Sequence, residues 1–311
     1  MDSFDSYVIR KLYKETAKHG DKLAEIEPRI DWNKFTPIIQ PMYTNQGPCG
    51  GRPNTDPVVM MKLLVLQAWY GLSDPELERQ AGNRIDFMHF LGFPEKAPDY
   101  STVWRFRERL AETGRDRLVW DEMQRQLDEK GLKVRKGVAQ DATFITADPG
   151  HAPVDKPRGG DAKTRRSRDG AWTKKGGRSV FGYKLHMKMD LDHGLIRCLE
   201  ASAANVHDSR VDLSMPGEVV YRDKGYQGVV PRGYDATMKR ASRGHPLSIW
   251  DRLRNRRIGR KRCPGERPFA VIKRVFGGGH VLVTSLPRVR VKLVFACLCF
   301  NIVQLGRLGV G

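Results

Sequence analysis

Three acidic side chains stand in sequence surroundings where a carboxylate is expected to do chemistry. Asp141 lies in the middle of the apolar, β-branched run VAQDATFITA, where an uncompensated carboxylate is costly. Asp223 ends an apolar run in EVVYRDKGY, and Glu266 is nearly alone among basic residues. Carboxylates bind divalent cations, and two Mg²⁺ ions about 4 Å apart activate the attacking oxygen and stabilise the leaving oxygen in phosphodiester chemistry. The three acids are therefore candidates for a metal-dependent site.

Each acid also has an ordinary structural explanation. An Asp at a strand end commonly caps a turn, and Glu266 could form an ion pair on a solvated basic helix. The spacing to Lys273 favours function, because seven residues at 100° per residue return both side chains to nearly the same helix face. Arg262 would join that face in a longer helix. Pro264 and Pro268 instead predict a helix that begins near Glu266, with Arg262 in the preceding loop.

The composition favours a folded protein with a polyanionic partner. The chain has 311 residues, 40% of them hydrophobic, which is enough for a sizeable core in one large or two ordinary domains. It carries 55 Lys and Arg against 36 Asp and Glu, a formal net charge of +19, and its isoelectric point is near 9.9. This balance indicates nucleic acid or an anionic membrane surface as the partner.

Export and membrane insertion are not expected. The opening sequence MDSFDSYVIR lacks a basic region followed by an apolar core, so no secretory signal is predicted. The most apolar stretch, residues 291–305, is shorter than the roughly 20 residues of a span and predicts a buried helix. The five cysteines are scattered and odd in number, which is typical of reduced thiols in a cytosolic protein. We expect Cys297 and Cys299 to be core residues and expect no zinc site.

Residues 52–130 show the start signals and apolar spacing of several helices, after a lead segment over residues 1–51. Asp56 before Pro57 predicts an N-cap followed by proline at the first helical position. The apolar run VVMMKLLVLQAWYGL follows at once. The stretch predicts a small all-helical N-terminal domain.

Two more helix starts follow in the same domain. Ser73 and Glu76 predict a capping box, and Ser101 predicts the cap of a third helix. That helix carries Arg105 and Arg107 among apolar residues. These arginines are candidates for contacts with DNA ends, as in helix-turn-helix modules; the alternative is a module that mainly dimerises.

From residue 136 onward the pattern changes to short β-rich runs, which predict an α/β fold with a mixed sheet flanked by helices. Between the first two runs lies a polar loop, about residues 148–178, which we expect to be a basic insertion. Its Trp172 and the nearby lysines suit base stacking and phosphate contact, with a solvated flexible loop as the alternative. The lysines are Lys174, Lys175 and Lys184.

Two residues beside Asp223 are also candidates. Lys224 and Tyr226 could reach the backbone of a nucleic acid, or could pack against the sheet edge. His186 and His207 lack a paired ligand at suitable spacing, so hydrogen-bonding roles are favoured over metal binding.

Taken together, the blocks of this sequence resemble the transposases of prokaryotic insertion sequences, specifically the insertion sequence five group. RPNTDPVVMMKLLVLQAWYGLSDPELERQAGNRIDFMHFLGF with PDYSTVWRFRERL is similar to the family's helical N-terminal domain. QDATFITA, FGYKLHMKMD, HGLIRCLEASAANVHDS and VYRDKGYQG are similar to the strands that bear its first two acids. RCPGERPFAVIKRVFG matches its Arg-x3-Glu-x6-Lys signature through Arg262, Glu266 and Lys273.

The resemblance implies a ribonuclease-H-like catalytic domain over residues 136–311. It implies that Asp141, Asp223 and Glu266 bind two Mg²⁺ ions, with Mn²⁺ able to substitute, and that Arg262 and Lys273 contact DNA. One departure is that Gly259 stands where many relatives have a Tyr, so that ring's contact is absent or supplied elsewhere.

The implied function is DNA transposition. The enzyme would bind the terminal inverted repeats of its element, cleave the ends, and transfer the 3′ hydroxyls to target DNA. We expect a homodimer or higher oligomer on double-stranded DNA, no membrane partner, and a cytoplasmic, nucleoid-associated location. Two alternatives remain open, a catalytically silent or domesticated DNA-binding protein and a nuclease that does not rejoin strands.

Overall fold

The chain folds as two compact units, which are described separately. The first unit comprises residues 1–131 and 294–311, and the second comprises residues 132–293. Residues 294–311 therefore group with the first unit, whereas the sequence-based division keeps them with the sheet; the functional domain boundaries stay a prediction. The computed structural model describes the chain over residues 4–43, 53–150 and 167–310.

All the regular secondary structure in the described residues of the first unit is helical, as predicted for the N-terminal region. The residues before position 52, assigned to a lead segment, also contain helices. The α-helices within residues 1–131 of this unit are α1 Phe4–Thr16, α2 Lys22–Ile26, α3 Thr36–Ile39, α4 Pro57–Tyr70, α5 Asp74–Asn83, α6 Ile85–Phe90, α7 Tyr100–Thr113 and α8 Arg115–Glu129.

The start of α4 confirms the predicted cap. Its first residue is Pro57, and the Asp56 carboxylate accepts hydrogen bonds from the backbone N–H groups of Val58 and Val59. These are two of the donors that a helix start leaves without an internal partner. A short-range sequence signal was enough here because every group involved lies within three residues.

The other two predicted starts need correction. Ser73 does accept from the N–H of Glu76, but the Glu76 carboxylate binds Arg79 and Gln80 on the helix surface, so the capping box is only half formed. Helix α7 begins two residues earlier than a cap at Ser101 predicts, and it is capped by Asp99. The ionised carboxylate of Asp99 is the stronger acceptor for the N–H at N3.

A seven-stranded mixed sheet forms the core of the second unit within the described residues. The order along the sheet is β2-β3-β1-β5-β6, with β4 also paired to β3 and β7 to β1. Strand β1 runs antiparallel to β3 and parallel to β5 and β7. This confirms a mixed α/β fold. The strands are β1 Val138–Ala147, β2 Ala171–Lys175, β3 Arg178–Asp190, β4 Ile196–Ala203, β5 Val219–Arg222, β6 Tyr234–Thr237 and β7 His280–Val281.

Strand β2 corrects the predicted loop over residues 148–178. Its Trp172 and Thr173 are good strand formers, and they pair with Phe181 and Val180 of β3 in an antiparallel register. Part of the expected basic insertion is therefore an edge strand. The rest of the insertion falls mostly on residues 151–166, which lie outside the described residues.

Three helices follow β6. They are α9 Ile249–Arg262, α10 Glu266–Arg274 and α11 Leu286–Arg307. The predicted start of α10 at Glu266 is confirmed. The prediction that Arg262 lies in a loop is wrong, since Arg262 is the last residue of α9. Only the short turn Cys263–Gly265 separates the two helices.

Helix α11 is the buried apolar helix that the sequence predicts. By length and mean hydropathy (1.6) it is the one described helix that could cross a membrane, yet 72% of its apolar window is buried inside the protein. Its Cys297 and Cys299 are free thiols with no exposed surface, as expected for core residues. Burial also raises the pKa of the Cys297 thiol well above its usual range. These properties are typical of a core helix.

Gly182 provides a test of the β1–β3 register. It faces Thr146 across the ladder with a φ of +146°, and a Cβ there would overlap the carbonyl oxygen of Ile145. We expect Gly182→Ala to lower the free energy of unfolding by about 2 kcal/mol, because the left-handed backbone and the overlap both oppose a side chain. Urea unfolding of the full chain measures this.

The matched control is Gly259→Ala, on a helix where a new Cβ meets nothing within 4 Å. This change should be neutral or stabilising by up to about 1 kcal/mol, because Gly weakens a helix. Equal losses in both variants would contradict the register described here.

Candidate active site

Asp141 lies in the middle of β1, on the face of the sheet that also carries two methionines of β3. In the antiparallel register Asp141 faces Met187, and Ala139 faces Met189. Side chains two residues apart on a strand share a face, so these four residues form one floor. A small crevice opens over them, and it is lined by Ala139, Asp141, Met187, Met189, Arg262, Gly265 and Phe269.

The Asp141 carboxylate is held by an arginine from a distant part of the sequence. Nη2 of Arg262, at the end of α9, donates to Oδ2 of Asp141 at 2.6 Å. The other oxygen accepts from the N–H of Ala142 at 2.8 Å. Burial nevertheless raises the pKa of Asp141 above its usual value; Arg262 and Ala142 oppose that shift, and the charges of Asp223 and Asp208 add to it.

Asp223 follows β5, the parallel neighbour of β1. Tyr221 of β5 pairs with Ala139 of β1, so two residues further along both strands Asp223 stands level with Asp141. The Asp223 carboxylate accepts from the N–H of Gly225 at 2.8 Å and caps the short turn Lys224–Tyr226. The structure thus brings together the first two predicted acids, which lie close enough for Asp223 to raise the pKa of Asp141.

A third carboxylate near this pair, Asp208, was missed by the sequence analysis. Its Oδ1 accepts from Nζ of Lys184 at 2.7 Å, and the same ammonium donates to the carbonyl oxygen of Val206 at 2.6 Å. Burial raises the pKa of the Tyr226 phenol, and the charges of Asp141, Asp208 and Asp223 raise it further. The sequence does show an acid in NVHDS. Residues in a loop follow no helix or strand periodicity, however, so the sequence does not indicate which side chains Asp208 lies near.

Glu266 stands apart from the other acids. It is the exposed first residue of α10, and its carboxylate forms no hydrogen bond or ion pair with the described residues. The preceding residue, Gly265, is packed near Ala139, so the start of α10 lies against the strand that carries Asp141. Lys273 is half-buried on the same helix as Glu266, seven residues on. Across the part of the chain that the structure describes, no three His, Cys, Asp or Glu side chains are arranged to hold a metal ion.

Four of the predicted DNA contacts are on the surface. Trp172 on β2 has 54% of its surface exposed and stacks at a tilt on Phe181. The exposed charged residues are Lys174, Lys224 and Arg105. The backbone of Lys175 lies in β2. Exposure is compatible with the predicted contacts, which stay predictions.

Three other predicted DNA contacts have partners inside the protein. Lys184 is 7% exposed and bound to Asp208, and Tyr226 is 1% exposed. Arg107 forms a two-bond pair with Asp74, both bonds at 2.8 Å. The Tyr226 ring lies under the guanidinium of Arg222, 5.4 Å from it. Each of the three side chains thus has a contact inside the protein, and their contacts with DNA stay predictions.

His186 and His207 both form hydrogen bonds in the described structure. His186 is fully buried, and its Nε2 lies 2.7 Å from the Ser202 hydroxyl. Burial lowers the pKa of His186 to about 4, so the ring is neutral. His207 caps a short turn through Nδ1, which accepts from the N–H of Ser209.

Carboxylates beside an arginine-rich helix suit an enzyme that acts on phosphodiesters. Comparison with known families agrees. Residues 133–302 match the family described as Transposase DDE domain, and residues 11–109 match that described as Transposase domain (DUF772). Because the first match spans more than half of the chain, the protein belongs to the Transposase DDE domain family. No solved structure matches the chain.

Transposases of this family generally use divalent metal ions. The donor chemistry fits such an ion, since carboxylate oxygens are the ligands that Mg²⁺ prefers. Burial, together with the charges of Asp223 and Asp208, destabilises the ionised carboxylate of Asp141 more than Arg262 and the N–H of Ala142 stabilise it, so the pKa of Asp141 is raised. A cation would stabilise that charge.

Substituting Lys184 and Lys174 one at a time tests which of them stabilises the fold and which contacts DNA. We expect Lys184→Met to lower the free energy of unfolding by about 1–2 kcal/mol, because Asp208 loses its buried partner, and to leave the salt dependence of DNA binding unchanged. Lys174→Met, at an exposed site, should leave stability unchanged and reduce the salt slope by about 1 if it contacts a phosphate. Urea unfolding and salt-titrated binding measure both. The reverse pattern would overturn the structural role of Lys184.

His186 should make the protein less stable in mild acid. Its pKa is about 4 in the folded protein against an ordinary value of 6.5, so below pH 6.5 the unfolded chain binds the extra proton first. Stability is then lost as the pH falls from 6.5 towards 4, by at most about 1.4 kcal/mol per pH unit. His186→Asn should remove this part of the pH dependence of unfolding, whereas His207→Asn, at an exposed site, should not. Identical profiles for wild type and His186→Asn would contradict the shift.

Proposed function

We propose that this transposase belongs to the insertion sequence five group, has a ribonuclease-H-like catalytic domain, and uses Asp141, Asp223 and Glu266 to bind two Mg²⁺ ions, for which Mn²⁺ can substitute. The observation that carries the proposal is the 2.6 Å contact between Arg262 and Asp141. It joins the segment with the Arg-x3-Glu-x6-Lys pattern to the strand of the first acid, although 121 positions separate the two residues.

The arrangement of the acids supports the same proposal. Asp223 follows β5 at the level of Asp141 on the adjacent strand β1, and α10 begins at Glu266 beside the strand of Asp141. Glu266 must turn towards the two aspartates to complete the site, and an exposed side chain at a helix start is free to do so. Bound divalent ions supply activation of the attacking oxygen and stabilisation of the leaving oxygen.

The protein's own groups position the DNA and balance charge. Arg262 holds Asp141 with one nitrogen, while its Nε–H is buried without a hydrogen-bond partner among the described residues. Such an orphaned donor is costly, and a phosphate oxygen of bound DNA would satisfy it, since the planar guanidinium suits phosphate. Lys273, on the same face of α10 as Glu266, is proposed to contact the DNA near the scissile phosphate.

The reaction proposed is cleavage at the ends of an insertion sequence followed by joining to target DNA. The helical unit would bind the terminal inverted repeats, dimerise, or do both. The chain would act as a homodimer or larger assembly on double-stranded DNA, in the cytoplasm and associated with the nucleoid. The net charge of +19 supports a polyanionic substrate.

Neutralising the acids tests the site. We expect Asp141→Asn, Asp223→Asn and Glu266→Gln each to lower the rate of cleavage by about 10³-fold or more in Mg²⁺, because each removes a charge that holds the ions. DNA carrying the inverted repeats that flank the gene is the substrate, and DNA binding should persist. Glu112→Gln, at an exposed carboxylate on α7, is the matched control and should cleave normally.

The outcomes separate the competing functions. Wild-type cleavage by Asp223→Asn would overturn the assignment. Loss of activity in Asp208→Asn but not in Glu266→Gln would make Asp208 the third acid in place of Glu266. Cleavage without joining would indicate a nuclease, and binding without cleavage in the wild type would indicate a silent DNA-binding protein.

A further inference from the structure

Helix α9 presents an aromatic ring and three basic side chains in one line on its surface. Trp250, Arg254, Arg257 and Lys261 are separated by four, three and four residues, so at 100° per residue they fall within an arc of roughly 60°. We call these four residues the α9 stripe. The indole of Trp250 is 80% exposed, which is a large apolar surface to leave in water.

The α9 stripe forms one wall of an open groove. The opposite wall comes from the adjoining strands β5 and β6 through Tyr221, Asp235 and Ala236. The buried residues of α9, Asn255 and Ile258, are centred about a quarter turn from the stripe, so the helix packs on the sheet by one side and borders the groove with the next. Ile258, the nearer of the two to the stripe, also lines the groove.

Basic side chains outnumber acids in this groove, and the acid that lines it, Asp235, is already bound to Arg222 and Thr237. Among the described residues no ion pair engages Arg257, Arg260 or Lys261. The acid of α9, Asp251, is committed to Lys239 and to capping the helix. Like charges three or four residues apart weaken a helix, so the stripe is a cost to the folded protein unless an anion binds there.

The groove leads to the candidate active site. Lys261 lies eleven positions after Trp250, which is about 16 Å along a helix at 1.5 Å per residue. The next residue, Arg262, binds Asp141. A DNA strand rises about 3.4 Å per nucleotide, so the stripe matches roughly five nucleotides next to the acids.

We propose that the α9 stripe is a binding site for the DNA strand beside the cleavage point, in which Arg254, Arg257 and Lys261 contact successive phosphates and Trp250 packs on the face of a base or sugar. Arg254 also donates to the carbonyl oxygen of Thr237, which fixes it at the edge of the groove. This proposal rests on the proposed function, because it specifies where the DNA of that reaction lies.

Binding measurements on the full chain test the stripe, with Asp223→Asn as the parent so that the DNA stays intact. The probe is a fluorescein-labelled random-sequence duplex with a single-stranded tail, followed by anisotropy over a range of salt concentrations. The double variant Arg257→Ala/Lys261→Ala should bind at least tenfold more weakly and lower the salt slope by about 2, because two phosphate contacts are lost. Trp250→Ala should bind roughly tenfold more weakly with an unchanged slope, and Trp250→Phe should recover most of the affinity.

The matched control is Arg252→Ala/Arg256→Ala, which removes the same charge from the exposed side of α9 opposite the stripe. It should bind like the parent protein. All these side chains are at the surface, so thermal unfolding should be unchanged in every variant. Equal losses in the control and stripe variants would show a general charge effect and overturn the proposal.

Three results have distinct meanings. A parent that binds no duplex at low salt would overturn the proposed function together with the stripe. A parent that binds, with stripe variants that bind as well as it does, would overturn the stripe alone. Stripe variants that change the sedimentation mass but not DNA affinity would show that the groove binds a second copy of the chain, which would also overturn the proposal.

Discussion

The second unit depends on how one carboxylate is accommodated in the middle of a sheet. Asp141 stands on a floor of Ala139 and two methionines, where a charge is costly to bury. Arg262 meets that carboxylate, and this contact fixes the end of α9 against β1. Because a turn of only three residues links α9 to α10, the same contact also determines where Glu266 begins the next helix. The ion pair between Arg262 and Asp141 thus sets the position of the segment that carries the Arg-x3-Glu-x6-Lys pattern.

Local features of the fold could be predicted from the sequence, because their causes are local. The Asp56–Pro57 cap, the start of α10 and the buried final helix involve groups within a few residues of each other. The predictions failed where two nearby groups competed. Asp99 displaced Ser101 as a cap, and the Glu76 carboxylate bound Arg79 instead of the backbone. Such choices depend on small energy differences that the order of residues does not reveal.

The candidate site was only partly predictable for a different physical reason. The positions of Asp141 and Asp223 follow from their strands, since β1 and β5 pair in parallel with Ala139 opposite Tyr221, and each acid lies two residues further along. For lysines and arginines, the sequence does not indicate which side chains are buried and which are exposed. Lys184 and Lys174 look alike in sequence, yet one is buried in an ion pair and the other is exposed. The difference arises from the loop that brings Asp208 to β3, which is a long-range contact with no periodic pattern.

Strand β3 shows how a single element can serve both the sheet and the site. Its odd-numbered residues Met187 and Met189 form the apolar floor beneath Asp141. Its even-numbered residues Lys184 and Lys188 are buried on the other face, where they bind carboxylates of the segment that follows β4. A buried ammonium without its partner is strongly disfavoured, so these pairs hold that segment in a definite place. Asp208 lies in it, and its charge raises the pKa of Asp141. The polar face of β3 therefore contributes to the electrostatics of the acids on its apolar side, and substitutions there would change the site without touching it.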